Sequence, residues 1–440
     1  MTSDIESRTM KRVAWRIIPF VMVLYFIAFL DRVNVGFAAI HMNEDVGLSP
    51  SVFGLGAGLF FVGYFLFEVP SNLALNRFGA RIWIARVMIT WGILSAAMVF
   101  VQGSMSFYVL RFLLGVAEAG FFPGIILYLS FWFPARRRAS VTALFMAAAP
   151  ISVAIGSPLS GALLEMDGHL GWNGWQWMFL IEAIPAVILG VVVLFYMTDK
   201  PEKAKWLADD ERAWLTKTME EERAAKASAG ASHSIWKGLS DPRVLALSAV
   251  YFGTSAGLYT LGIWAPQIIH SLGLTTFQTG LLNAIPAIVA VVAMFFWARH
   301  SDRTGERSWH VVVACLVAAV GLYLAGFAVG LAAVVAALAL VNMGVSASKP
   351  PLWSMPTLFL SGSAAATGIA TINSIGNLGG FVGPSVIGFI LERTGSYRWG
   401  LIFVGTLLVG SALITYLLTR GQQRKQARDN AAVSGVQLAK

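Results

Sequence analysis

Charge is what this sequence lacks most. Of 440 residues only 12% are Asp, Glu, Lys or Arg, against about 25% in a soluble globular chain, and mean hydropathy is +0.69. Such a chain has half the usual means of staying in water, which excludes an ordinary soluble domain. Cysteine is nearly absent. Cys315 stands alone inside an apolar run, so no intrachain disulfide and no thiolate metal cluster can form. The six histidines are scattered, mostly at loop edges, and form no cluster. A membrane-embedded enzyme would need nucleophile, base and metal groups gathered at one depth. The longest polar stretch, residues 198–242, is too short for a sizeable sensory or scaffolding domain.

What is present is apolar length. A helix crossing the ~30 Å hydrocarbon core needs ~20 mostly apolar residues. Twelve stretches qualify, near 13–38, 50–73, 82–101, 106–132, 139–164, 175–197, 243–269, 277–298, 309–328, 331–359, 364–391 and 397–419. They are continuous and lack the alternation of barrel strands, so they read as helices. The first run is flanked by Lys11, Arg12 and Arg16 but is too long for a signal peptide and contains Asp31 and Arg32. It counts as the first span. Formal net charge is +9, and its placement explains it: 27 of the 32 Lys and Arg lie at the termini or in and beside the even-numbered gaps, while the other side holds only Arg393 and Arg398. By the positive-inside rule both termini and segment 198–242 are expected in the cytoplasm. The basicity is topological, so no nucleic-acid partner is expected.

The chain repeats itself. After span 2 it reads Asn76-Arg77-Phe78-Gly79-Ala80-Arg81, and after span 8 Asp302-Arg303-Thr304-Gly305-Glu306-Arg307, 226 residues later. Pro158 and Pro384 share that offset, as do Tyr25-Phe26 and Tyr251-Phe252. One offset at three sites indicates a duplication. The expected organisation is a six-helix bundle over 1–197, a cytoplasmic linker over 198–242 that reads as a solvated tether with an amphipathic helical part, a second bundle over 243–420, and a polar, disordered tail over 421–440. The fold class is all-α, with twelve transmembrane helices in two pseudo-symmetric halves.

Charges inside the spans are few and costly, ~2.5–3.5 kcal/mol each at a helix centre on insertion scales, so they are functional candidates by default. Span 1 carries Asp31 and Arg32, span 4 Arg111 and Glu118, span 10 Lys349; Glu68 and Glu182 lie in spans 2 and 6. Arg111 and Glu118 are seven residues apart, hence on one helix face. They read as a functional pair or as a structural ion pair. In span 10, Lys349-Pro350-Pro351-Leu352-Trp353-Ser354-Met355-Pro356 holds three prolines, which predicts a kink or unwinding. Lys349 and Trp353 share a face there, as a second cation with an aromatic wall, or as a snorkelling lysine beside a packing residue. Asn373 and Asn377 share a face of span 11, to bind a ligand or to hydrogen-bond a neighbouring helix.

Two six-span halves resemble the major facilitator superfamily, whose substrate site lies at mid-membrane between the halves. The loops Arg77-x-Gly79-x-Arg81 and Arg303-x-Gly305-x-Arg307 look like its signature. Asn76 departs from the family's preferred Asp, which Asp302 keeps, so the expected acid-to-helix-end gate contact is weakened in the first half. Tyr25 to Gly36 (YFIAFLDRVNVG), Arg111 to Gly124 (RFLLGVAEAGFFPG), Trp175 to Pro185 (WQWMFLIEAIP) and Gly368 to Pro384 (GIATINSIGNLGGFVGP) resemble the anion:cation symporter family. The resemblance implies proton coupling at Asp31 and Glu118, anion binding at Arg32 and Arg111, and a substrate cavity lined by Tyr64, Trp353 and Asn373. Residue chemistry agrees. Arginine grips a carboxylate bidentately and stays charged when buried, whereas burial lets a glutamate load and release a proton near neutrality.

The expected function is thus proton-coupled import of a small organic carboxylate of the tartrate, sugar-acid or aromatic-acid class. A uniporter or exporter of the same fold is the alternative. The expected setting is the bacterial inner membrane, as a monomer in the lipid bilayer, with protons as coupling ion and no other cofactor or metal. Topology is directly testable: reporter fusions at the C-terminal tail and near Ala229 should both report cytoplasm, and one near Gly168 the outside. Tail and Ala229 reporters on opposite faces would overturn the twelve-span arrangement.

Overall fold

The computed structural model describes residues 2–228, 241–356 and 362–438; the fusion point at Ala229 lies outside them. The first half contains α1 (Thr2–Val46), α2 (Pro50–Phe78), α3 (Ala80–Ala97), α4 (Ser104–Glu118), α5 (Phe121–Trp132), α6 (Ala135–Met146), α7 (Ala148–Leu164) and α8 (Gly174–Tyr196). A linker helix, α9 (Asp209–Ser228), follows. The second half contains α10 (Pro242–His270), α11 (Thr276–Thr304), α12 (Ser308–Phe327), α13 (Leu331–Ser354), α14 (Gly362–Asn377), α15 (Gly379–Thr394) and α16 (Arg398–Leu438). No strand occurs among the described residues. Twelve helical segments are long and apolar enough to cross a membrane, with α4–α5, α6–α7 and α14–α15 each forming one interrupted span.

Local sequence sets the helix ends. Ser49 accepts from the Val52 N–H ahead of α2, with Pro50 at the first helical position. Thr275 and Gln278 form a reciprocal capping box at α11. Gly305 and Gly395 end α11 and α15 in the left-handed region, with φ of 68° and 64°. One expectation needs correcting. Pro350 and Pro351 do not unwind span 10: α13 runs through both and stops at Ser354. Each ring removes one ladder bond, but its φ is already near the helical value, and the helix ends just ahead of Pro356. The tail past residue 420 continues α16 to Leu438. It holds no proline and is rich in Ala, Gln, Arg and Lys, all good helix formers.

The interruptions fall where proline gave no warning. Span 4 breaks immediately after Glu118, at Ala119 and Gly120, the latter with φ of 85°. Span 11 breaks at Leu378, ahead of Gly379 and Gly380. The linker is less free than a tether. Helix α9 docks on the first half through Arg12 with Glu211 (2.6 Å), Arg8 with Asp210 and Glu211, and Arg138 with Glu222 (2.8 Å). Trp206 stacks on Trp132 at 5.3 Å.

The halves meet along α2 with α15, α7 with α11, and α1 with α10. Glycine paves every one of these crossings. A Cβ on Gly54 would come within 3.2 Å of Gly388 Cα, one on Gly161 within 3.3 Å of Gly280 Cα, and one on Gly36 within 2.8 Å of the Ile263 carbonyl. With no hydrophobic force between helices in lipid, such backbone approach is a main source of adhesion. All of these contacts lie toward the membrane face away from the chain termini. The structure is therefore closed on that face.

Candidate functional site

Asp31, Arg32, Glu68, Arg111 and Glu118 gather at mid-depth, where α1, α2, α4, α10 and α14 converge, while Glu182 on α8 accepts from Ser160 of α7 at 2.6 Å. Asp31 and Arg32 are neighbours in sequence but diverge, because consecutive helical residues are ~100° apart. Asp31 turns into its own half, accepting from Trp91 Nε1 (2.7 Å) and Ser95 Oγ (3.2 Å) on α3, with Asn34 Nδ2 at 3.4 Å. Arg32 turns to the boundary between the halves. Its Nε donates to Glu118 Oε1 at 2.5 Å, and its Nη1 to Tyr259 Oη of α10 at 3.1 Å. The guanidinium lies 5.1 Å from the Tyr64 ring centroid and 5.7 Å from that of Phe60.

Arg111 faces the same aromatic floor, 5.1 Å from Phe60, and is 1% exposed. It is not the ion-pair partner of Glu118 that their shared face allowed; that partner is Arg32. Arg111 Nη2 donates to the Ala57 carbonyl at 3.2 Å. Its Nε and Nη1, and Nη2 of Arg32, have no hydrogen-bond partner among the described residues. Buried donors of this kind are rare and require an explanation.

The remaining expected residues divide. Trp353 packs edge-on against Tyr251 at 5.0 Å, and its buried indole N–H has no partner among the described residues. Lys349 is half-buried one turn before it, and no carboxylate among the described residues pairs with it. Asn377 is buried at the end of α14. Asn373 is engaged across the boundary, donating with Ser374 to Glu68 of α2. Sequence reading named Glu68 but gave it no role, and missed Ser374, Tyr259, Trp91 and Ser95. Neutral residues in apolar runs carry no signal for such contacts. Gly253-Thr254-Ser255-Ala256-Gly257 has the spacing of a hydrolase elbow, but Ser255 is buried inside uninterrupted α10 rather than raised on a strand-to-helix turn.

The signature loops lie away from this centre, at the face holding the termini. Gly79 adopts φ 89°, ψ 151°, a conformation open essentially to glycine alone. Asn76 only bonds back to the Asn72 carbonyl. The acid it lacks comes from elsewhere: Asp199, after α8, accepts from the Arg81 N–H at 2.9 Å, and Arg81 reaches the Leu194 carbonyl. Arg77 rests on Phe78. In the second loop Arg307 pairs with Asp302 at 2.6 Å and donates to Ser301, while Arg303 is exposed beside Gly305.

Two helical halves around buried, partly unpaired cations define a membrane carrier. The chain belongs to the Major Facilitator Superfamily, whose profile matches residues 21–384. It is a transporter, not an enzyme. It is 72% identical over 420 residues to an Agrobacterium vitis protein named "Putative tartrate transporter", covering 96% of each chain. It is 40% identical over 426 residues to an Acinetobacter baumannii protein named "Quinolone resistance transporter", covering 97% of this chain and 98% of that one. Among solved structures it superposes on a bacterial homologue of the human lysosomal transporter Spinster, inward-facing and unoccupied, with a TM-score of 0.73 at 17% identity, over 93% of this chain and 97% of that one.

Proposed function

We propose that this protein is a proton-coupled symporter importing a small organic carboxylate across the bacterial inner membrane by alternating access, working as a monomer with both termini cytoplasmic. One observation carries the reading: two buried arginines share an aromatic floor, and three of their N–H-bearing nitrogens are unpaired. A carboxylate is the ligand whose geometry matches a guanidinium fork. The relatives that carry tartrate in their names support the tartrate, sugar-acid or aromatic-acid class.

Coupling follows from the Arg32–Glu118 pair. An anion arriving at Arg111 competes with Glu118 for Arg32. A carboxylate displaced from its cation inside the membrane is costly to leave bare, so it takes up a proton. Asp31 serves as a second site or relay, held ready by Trp91 and Ser95. Release of the anion restores the ion pair and returns the proton. The break in span 4 directly after Glu118 gives this end of α4 room to move. The signature loops act as gates at the cytoplasmic face. Export of organic molecules is the second reading, favoured by the relative named for quinolone resistance.

Three measurements test this. Arg111→Lys keeps the charge but loses the fork and should weaken carboxylate binding more than tenfold, above about 1.4 kcal/mol. Near-normal affinity would make Arg111 structural. Lys349→Ala should penalise dianions far more than monoanions if Lys349 neutralises a second carboxylate, and equal losses would return it to packing. Glu118→Gln mimics the protonated state. In reconstituted vesicles it should still exchange substrate yet lose accumulation driven by a pH gradient. Accumulation that persists would move the coupling site to Asp31, and loss of exchange as well would make Glu118 a binding or folding residue.

A further inference from the structure

Glu68 is a further buried carboxylate at the boundary between the halves, and the coupling scheme above does not use it. It lies on α2 one turn beyond Tyr64, the ring beneath Arg32, and is 2% exposed. Neither oxygen meets a cation among the described residues. Instead Oε1 accepts from Asn373 Nδ2 at 2.5 Å and Oε2 from Ser374 Oγ at 2.8 Å, both on α14 of the opposite half. Meanwhile Arg32 and Arg111 keep unpaired donors. A buried carboxylate satisfied only by neutral donors, close to cations with donors to spare, is an unusual division of partners.

The location adds meaning. Helix α2 packs closely along α15 but only lightly against α14, and the two segments of span 11 are separated by the interruption at Leu378 and two glycines. Among the described residues, the other side-chain hydrogen bonds between the halves, Ser49 and the Ser51 N–H with Glu392, the Phe277 N–H with Glu165, Asn283 with Ser157 and Ser385 with the Gly54 carbonyl, lie on the closed side; Arg32 with Tyr259 is at the centre. Among the described residues, Glu68 is therefore the polar tie that holds α14 against α2 on the side facing the termini.

We propose that Glu68 is a tethered stand-in for the substrate's anionic or hydroxyl groups: in the empty carrier it occupies Asn373 and Ser374 and latches α14 to α2, and the arriving carboxylate displaces it. This rests on the carboxylate reading for its second half only. The latch itself is a property of the empty protein. Its consequence has an uncommon sign. A residue that merely builds the site lowers affinity when removed, whereas a competitor raises it. A latch closed nine-tenths of the time weakens apparent affinity about tenfold, and its removal restores that factor.

The experiment uses the full chain in detergent. An amide side chain offers one acceptor and one donor in place of two acceptors, so Glu68→Gln must lose at least one of the two bonds while keeping the shape. Hydrogen exchange across Gly362–Asn377 without ligand should quicken in Glu68→Gln and in Asn373→Ala, and to a lesser degree in Ser374→Ala, which leaves the carboxylate intact. Calorimetric titration with tartrate should then separate them: affinity rises several-fold, up to about tenfold, in Glu68→Gln but falls in Asn373→Ala. Unchanged exchange in all three variants overturns the latch. Faster exchange with weaker tartrate binding in Glu68→Gln overturns the stand-in role and makes Glu68 part of the binding site. If tartrate and the other carboxylates bind neither the wild-type chain nor any variant, the carboxylate reading fails, and exchange alone still decides the latch. A melting temperature close to wild type in Ser374→Ala guards against misfolding as the cause of faster exchange.

Discussion

The ion pair between Arg32 and Glu118 is buried between two halves of a membrane protein, where each charge alone is costly. Breaking a buried pair by removing one partner costs about 3–5 kcal/mol, because the other charge is left uncompensated. Much of the centre is arranged around that constraint. Tyr64 and Phe60 offer ring faces to the guanidinium, Tyr259 accepts one of its donors from the opposite half, and span 4 ends its helix immediately after Glu118. In the proposed coupling, a pair this costly to break by itself becomes exchangeable when another carboxylate and a proton arrive together.

The second constraint is adhesion between halves that must also separate. Lipid supplies no hydrophobic drive to join them. On the closed side, glycines bring α2 to α15, α7 to α11 and α1 to α10 at backbone distance, so closure rests on many small dispersion contacts rather than on a few strong bonds. On the other side, single side chains such as Glu68 take over the tie. Contacts made of many weak terms can be remade in another geometry, whereas a single polar tie responds to a ligand. The linker helix α9 stands apart from both: among the described residues, the ion pairs it makes beyond its own helix reach the first half.

Much of this was legible in sequence for a physical reason. Apolar length, the asymmetry of Lys and Arg, and the offset of 226 residues between repeated motifs report directly on burial in lipid and on duplication, and these define twelve helices in two halves. Intramembrane charge is expensive enough that each such residue is conspicuous, so Asp31, Arg32, Arg111, Glu118 and Lys349 were visible as candidates. Proline was a weaker guide. The ring's φ suits a helix, so α13 carries Pro350 and Pro351 without breaking, whereas spans 4, 5 and 11 are interrupted after Glu118, Met146 and Asn377, and the first of these breaks uses a glycine at positive φ, Gly120.

The sequence by itself determined the class of fold, the expected membrane orientation and the inventory of buried charges, because each of these follows from what lipid excludes. Only the tertiary structure decided the pairings: Glu118 with Arg32 rather than Arg111, Asp31 with Trp91 and Ser95, Glu68 with Asn373 and Ser374, Asp199 in place of the acid missing at position 76. A helical wheel gives the direction a side chain leaves its own helix. The partner it meets depends on how separate helices cross, and that is set by packing over the whole molecule.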